Sequence, residues 1–166
     1  MEITGKSLGT GSRPRPRAGG FTLVELLITV AIGAVLAGLA IPSFQFLLVN
    51  MEVRSVSFEL VSQMVFARSE ALKRNASVQV KAVAGEWNKG SQVEFGAAVL
   101  RSQAAVKRVG VTANPVATTS IVFTQTGRVS NAPVTLEVAD PTGSSPEKSC
   151  ITLGLTGIAS SKKGAC

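Results

Sequence analysis

The sequence predicts an α+β protein, a long N-terminal helix packed on a small antiparallel β domain. Three observations predict it. From Phe21 to Val49 the only charge is Glu25, in a run of apolar, small or weakly polar residues. From residue 50 to 74 apolar residues return at intervals of three and four. After Asn75 the apolar period falls to two, and Gly, Pro, Asn and Ser break the chain into short segments.

Residues 1–20 read as a leader. Arg13-Pro14-Arg15-Pro16-Arg17 is basic, and proline disfavours helix at and before itself. Such positive charge stays on the cytoplasmic side of a membrane, so the remainder of the chain is exported. Residues 21–49 form the predicted transmembrane helix, since about 20 apolar residues span a bilayer. Gly33 and Gly38 permit close helix contact, and Pro42 predicts a kink or local opening. Glu25 is the anomaly, because a carboxylate in hydrocarbon costs about 2.5 kcal/mol or more and needs a partner. A cut between Gly20 and Phe21 would supply one. The new α-amine of Phe21 lies four residues from Glu25, on the same helix face. In a bundle of identical helices the carboxylate of one chain neutralises the ammonium of the next.

Residues 50–74 continue as an amphipathic helix. Val53, Val56, Leu60, Met64, Ala67 and Ala71 form its apolar stripe, with Val61, Val65 and Leu72 widening it. Lys73 and Arg74 suit the last turn, and Asn75 the residue that ends it. Residues 75–166 are the β domain. Strands are expected at 78–83, 92–95, 109–113, 120–123, 134–138 and 150–155, with a turn region over 85–90.

Composition removes whole classes of chemistry. The chain has 166 residues, no histidine and no tyrosine, which excludes His-based catalysis and the usual zinc sites. No phosphate loop, nucleophile elbow or metal-ligand spacing occurs, so neither enzyme activity, metal nor cofactor is expected. Asp140 stands in the turn sequence Asp-Pro-Thr-Gly, and Trp87 reads as a core or turn anchor. The formal charge is +7. The leader holds Lys6, Arg13, Arg15 and Arg17 against Glu2, so the chain without it is only +4. Cys150 and Cys166 are the two cysteines, and outside the cytoplasm they read as one disulfide. The closed loop would be worth about 3 kcal/mol by chain entropy. It carries Lys162 and Lys163 and no acidic residue. This stapled segment reads either as a solvated tail or as a basic tip for DNA phosphates.

Gly20-Phe21-Thr22-Leu23-Val24-Glu25, after a basic leader and before an apolar run, resembles the class III signal of type IV pilins and type II secretion pseudopilins. The resemblance implies cleavage after Gly20 by a membrane aspartyl prepilin peptidase and N-methylation of Phe21. It also implies a single-pass inner-membrane protein with a cytoplasmic N-terminus and a periplasmic C-terminal domain, whose partners are other pilins. Pro42 fits the same pattern. An ordinary secretory signal ending at Ala40, or an uncut anchor, leaves Glu25 behind Gly-Phe-Thr unexplained. Trp87-Asn88-Lys89-Gly90, Val93-Glu94-Phe95, Leu100-Arg101, Ser120-Ile121-Val122-Phe123 and Gly127-Arg128 resemble the GspH/FimT branch of minor pilins and pseudopilins. The implied function is a structural subunit of a type IV pilus or related filament. The alternatives are a type II secretion pseudopilin for protein export and a DNA-binding minor pilin in natural transformation. Some FimT-like proteins bind DNA through a C-terminal Gly-Arg-x-Arg. The matching place here reads Gly157-Ile158-Ala159-Ser160, without either arginine, and leaves Arg128, Lys162 and Lys163 as candidate contacts.

Overall fold

Backbone pairing and burial divide the chain into two units, Met1–Ala40 and Ile41–Cys166. The structure is a computed structural model that describes residues 20–130 and 133–166, without the side chains of 39–43. The expected leader up to residue 19 therefore lies outside the described residues, whereas Pro42, where a kink is expected, stands in the described backbone of a single helix.

One helix, α1, runs Leu23–Arg74. Thr22 starts it: its carbonyl accepts the first helical bond, from Leu26 N–H at 3.1 Å. Asn75 stops it in the left-handed region, at φ 50°. There Asn75 N–H donates to Leu72 C=O and Ala76 N–H to Ala71 C=O, the two bonds of a Schellman cap. In the first unit, Leu23, Val24, Leu26, Leu27, Ile28, Val30, Ile32, Val35 and Leu36 are each more than half exposed. Among the described residues no helix is long and apolar enough to cross a membrane.

The second unit holds eight strands: β1 Val78–Ala82, β2 Ser91–Phe95, β3 Ala98–Gln103, β4 Gly110–Asn114, β5 Ser120–Phe123, β6 Val134–Ala139, β7 Lys148–Leu153 and β8 Ala159–Lys163. They form two antiparallel sheets, in orders β3-β2-β1-β5 and β4-β6-β7-β8. Alternate residues of each sheet turn inward: Val78, Val80, Val93, Ile121 and Phe123 in one, Val111, Leu136, Val138, Ile151 and Leu153 in the other. The helix closes the same core with Val53, Val56, Leu60, Met64, Ala67 and Ala71, the stripe expected from spacing. Val65 and Leu72, expected to widen that stripe, are instead at least half exposed. Leu72 stands at the margin of the core, its methyl carbons beside Gly127 of the loop after β5.

Polar ties fix the sheets to α1. Gln63 and Ser91 are fully buried, and Ser91 Oγ donates to Gln63 Oε1 at 2.8 Å. Arg101 pairs with Glu59 at 3.0 Å, and Arg54 with Glu147 at 3.2 Å. Trp87 is buried with its indole N–H on Thr118 C=O, an anchor for the turn region as its type suggested.

Candidate functional site: the helix face and the C-terminal strand

The N-terminal end of α1 forms a reciprocal cap. Glu25 N–H donates to Thr22 Oγ1 at 3.2 Å, while Glu25 Oε2 accepts Thr22 N–H at 2.9 Å and Thr22 Oγ1–H at 3.1 Å. This is a Thr-x-x-Glu capping box, which satisfies helix donors that otherwise lack partners. The sequence carried that signal at Thr22, and the anomaly of a charge in an apolar run concealed it. Both bonds accepted by the carboxylate fall on Oε2, so Oε1 is the oxygen left for a donor from elsewhere. Phe21, just before the cap, is 86% exposed.

Further along, α1 has a second apolar stripe that the β domain leaves at least half exposed. Phe44, Met51, Phe58, Val65 and Leu72 recur every seven residues, and each is at least half exposed. Seven residues fall about 20° short of two full turns, so these side chains stay on one slowly drifting seam. The core-facing stripe lies on the other side. Thus α1 is apolar on two faces over 44–72 and all round over the described part of the first unit. A helix apolar all round belongs in an apolar surrounding, not in water.

The C-terminal candidates separate. Cys150 and Cys166 are joined by a disulfide that ties the chain end to β7. Residues of β8 alternate between faces, so Lys162 and Lys163 do not make one basic tip. Lys163 pairs with Glu147 at 2.8 Å, and Glu147 also holds Arg54. Hydrogen bonding from Lys163, opposed by burial and aided by Arg54, holds the Glu147 carboxyl below the usual range. Lys162 lies across from Cys150, exposed.

Arg128 has a different neighbourhood. The turn Gly154–Gly157 packs against the loop after β5: Val129 N–H donates to Leu155 C=O, and a Cβ on Gly157 would collide with Gly127 O. Both glycines sit at positive φ, which a side chain would strain. Arg68 of α1 donates its Nε–H to the same Gly127 C=O at 3.1 Å. Arg68 therefore meets the Gly157 turn, exposed Arg128 follows Gly127 in the chain, and neither arginine has a carboxylate within ion-pair distance among the described residues. Nothing in the spacing of residues 68, 127 and 157 signals that meeting. Among the described residues no cluster of metal-ligating side chains occurs.

The family profile described as type II transport protein GspH matches residues 58–157, from the helix seam to the glycine turn. The prokaryotic N-terminal methylation motif matches residues 15–41. No curated relative matches the sequence. Among solved structures, the fold is similar to the type IV minor pilin FimU of Pseudomonas aeruginosa. The TM-score is 0.59 at 20% identity, covering 66% of this chain and 91% of that one. It is also similar to the minor pseudopilin EpsH of the Vibrio cholerae type 2 secretion system. That TM-score is 0.51 at 11% identity, covering 69% and 97%. With the GspH profile over more than half its length, a methylation motif ahead of it and a pilin-like fold, the chain belongs to the GspH family and is a minor pilin or pseudopilin, a filament subunit.

Proposed function

We propose that the chain is a minor subunit of a type IV pilus or related filament. It is cut after Gly20 by the prepilin peptidase, methylated at Phe21, held in the inner membrane by residues 21–49, and then drawn into the filament by α1. Residues 75–166 stand in the periplasm until assembly. The observation that carries this reading is the surplus apolar surface of α1. The β domain covers one stripe and leaves the seam Phe44, Met51, Phe58, Val65 and Leu72 at least half exposed. Burying such surface contributes roughly 25 cal/mol per Å², and a neighbouring helix buries it as well as lipid does. Glu25 gives register: Oε2 caps its own helix, and Oε1 receives the ammonium of a neighbour's Phe21. Intact mass of the protein from membranes and from sheared filaments tests processing. A start at methylated Phe21 is expected, and a start at Ile41 overturns the reading. Loss of pili on removing the protein supports the pilus; loss of protein export with pili intact assigns it to a secretion pseudopilus.

A second reading, DNA contact, draws on Arg68 at the Gly157 turn and on exposed Arg128, the residue after Gly127. Two arginines without carboxylates suit phosphate oxygens. Arg128 is exposed, so Arg128→Ala isolates the charge. If the turn binds DNA, the variant weakens binding for all sequences and lowers the salt slope by about one. Equal binding by both forms across salt removes this reading.

A further inference from the structure

In sequence, charge is absent from Leu26 to Met51 and returns at Glu52. A cavity of about 360 Å³ opens beside the end of that uncharged stretch. Its helix wall is Gln45, Phe46 and Val49; its loop walls are Lys107, Arg108 and the Asp140–Ser144 turn, which includes Pro141. Phe46, in the helix wall, is 45% exposed. Two of its three charges are accounted for. Arg108 pairs with Glu52 at 3.5 Å. Glu52 Oε1 also accepts the backbone N–H groups of Lys107 and Arg108, at 3.1 and 3.2 Å, which pins this loop to α1. Asp140 turns into its own loop, accepting Thr142 N–H, Thr142 Oγ1–H and Ser145 N–H. Lys107 is left. Its ammonium has no carboxylate within ion-pair distance among the described residues, and its backbone is held at the cavity wall.

We propose that this cavity seats the phosphate of an anionic phospholipid, with Lys107 as its cation and Phe46, Val49 and Pro141 against the glycerol and upper acyl carbons. A soluble anion would need the charge and not the apolar wall. An apolar ligand would need the wall and not the charge. A lipid headgroup needs both, and the cavity stands where uncharged sequence gives way to charged, the composition of a bilayer interface. The contact fixes the β domain on the membrane surface before assembly, and it is lost when the subunit leaves the bilayer. The inference rests on the reading that residues 21–49 lie in the membrane.

The test uses the mature full-length chain in vesicles of phosphatidylcholine alone or with added phosphatidylglycerol. Amine acetylation at each lysine is followed by mass spectrometry. Lys73, at the far end of α1 and 77% exposed, is the reference. When phosphatidylglycerol is present, Lys107 is expected to slow relative to Lys73 by well over the roughly threefold that a surface potential of about −30 mV alone gives a free amine, and slowing of only that size overturns the inference. In mild detergent, co-purified phosphatidylglycerol should follow the native chain and Lys73→Gln, and be lost from Lys107→Gln. Equal Lys107 rates in both vesicle types overturn the inference. Protection of Lys107 by inorganic phosphate in detergent without lipid overturns the lipid assignment. A chain that fails to float with the vesicles overturns the membrane reading, and this inference falls with it.

Discussion

Glu25 holds two roles that ordinary mutagenesis would merge. Its Oε2 caps the helix through Thr22, and its charge offers a neighbour's amine a partner. Three substitutions separate them. Thr22→Ala breaks the capping box and keeps the charge, at about 1 kcal/mol of helix stability. Glu25→Gln keeps an oxygen that can accept Thr22 N–H and discards the charge. Glu25→Ala discards both. If assembly runs on the charge, Glu25→Gln and Glu25→Ala reach the membrane at normal levels but are missing from sheared filaments, while Thr22→Ala is incorporated. If capping is the whole of the role, Glu25→Gln is incorporated and the other two fail together. Comparing the subunit in filaments with that in membranes decides between them. The comparison also bears on the cost of a buried carboxylate, since removing it from a plain anchor would favour insertion.

Within α1, two apolar stripes have opposite fates. Leu60 is 2% exposed in the core and Phe58 is 75% exposed on the seam. Leu60→Ala should cost roughly 2–5 kcal/mol and lower the thermal midpoint of the purified protein. Phe58→Glu should leave that midpoint nearly unchanged, within about 0.5 kcal/mol, yet keep the subunit out of filaments. Normal incorporation of Phe58→Glu would remove the seam from the assembly surface. The core stripe was legible because three- and four-residue spacing marks a helix face. The seam was not, because Val65 and Leu72 are apolar whichever face the domain covers, and spacing does not say which stripe meets the sheets. Six strands were legible from alternation or apolar runs. Strands β3 and β8 were not. Ala98–Gln103 is partly exposed on both faces, and Ala159–Lys163 is an edge strand without apolar alternation, held by pairing to β7. The Glu25 signal lay in local sequence, whereas the Arg68–Gly127–Gly157 meeting depends on long-range packing that no local pattern encodes.

In the second unit as a whole, ion pairs do the fastening that a small core leaves undone. Glu147 joins α1 to β8 through Arg54 and Lys163, and Glu52 joins α1 to the loop before β4. Glu70 closes the helix end with Arg74 and Lys73. All three carboxyls are held below the usual range. Glu70 is lowered by Arg74 hydrogen bonding and Glu147 by Lys163 hydrogen bonding; for Glu52, burial is overcome by bonds from Lys107 and Arg108. The sign of the pH effect follows. A carboxyl whose folded pKa is depressed contributes stability that is present above its unfolded pKa, and loses it as pH falls through the folded value. The thermal midpoint of the mature protein should therefore hold steady from about pH 7 to 5 and fall progressively below about pH 4.3. Glu147→Gln should lower the midpoint at neutral pH and make its acid decline shallower, because the variant has one fewer depressed carboxyl to protonate. A midpoint that is flat or rises on acidification would show that these ties do not hold α1 to the β domain. The same decline with and without Glu147 would take that residue out of the fastening and leave Glu52, Glu70 and Asp140, the other lowered carboxyls of this unit, to account for the decline.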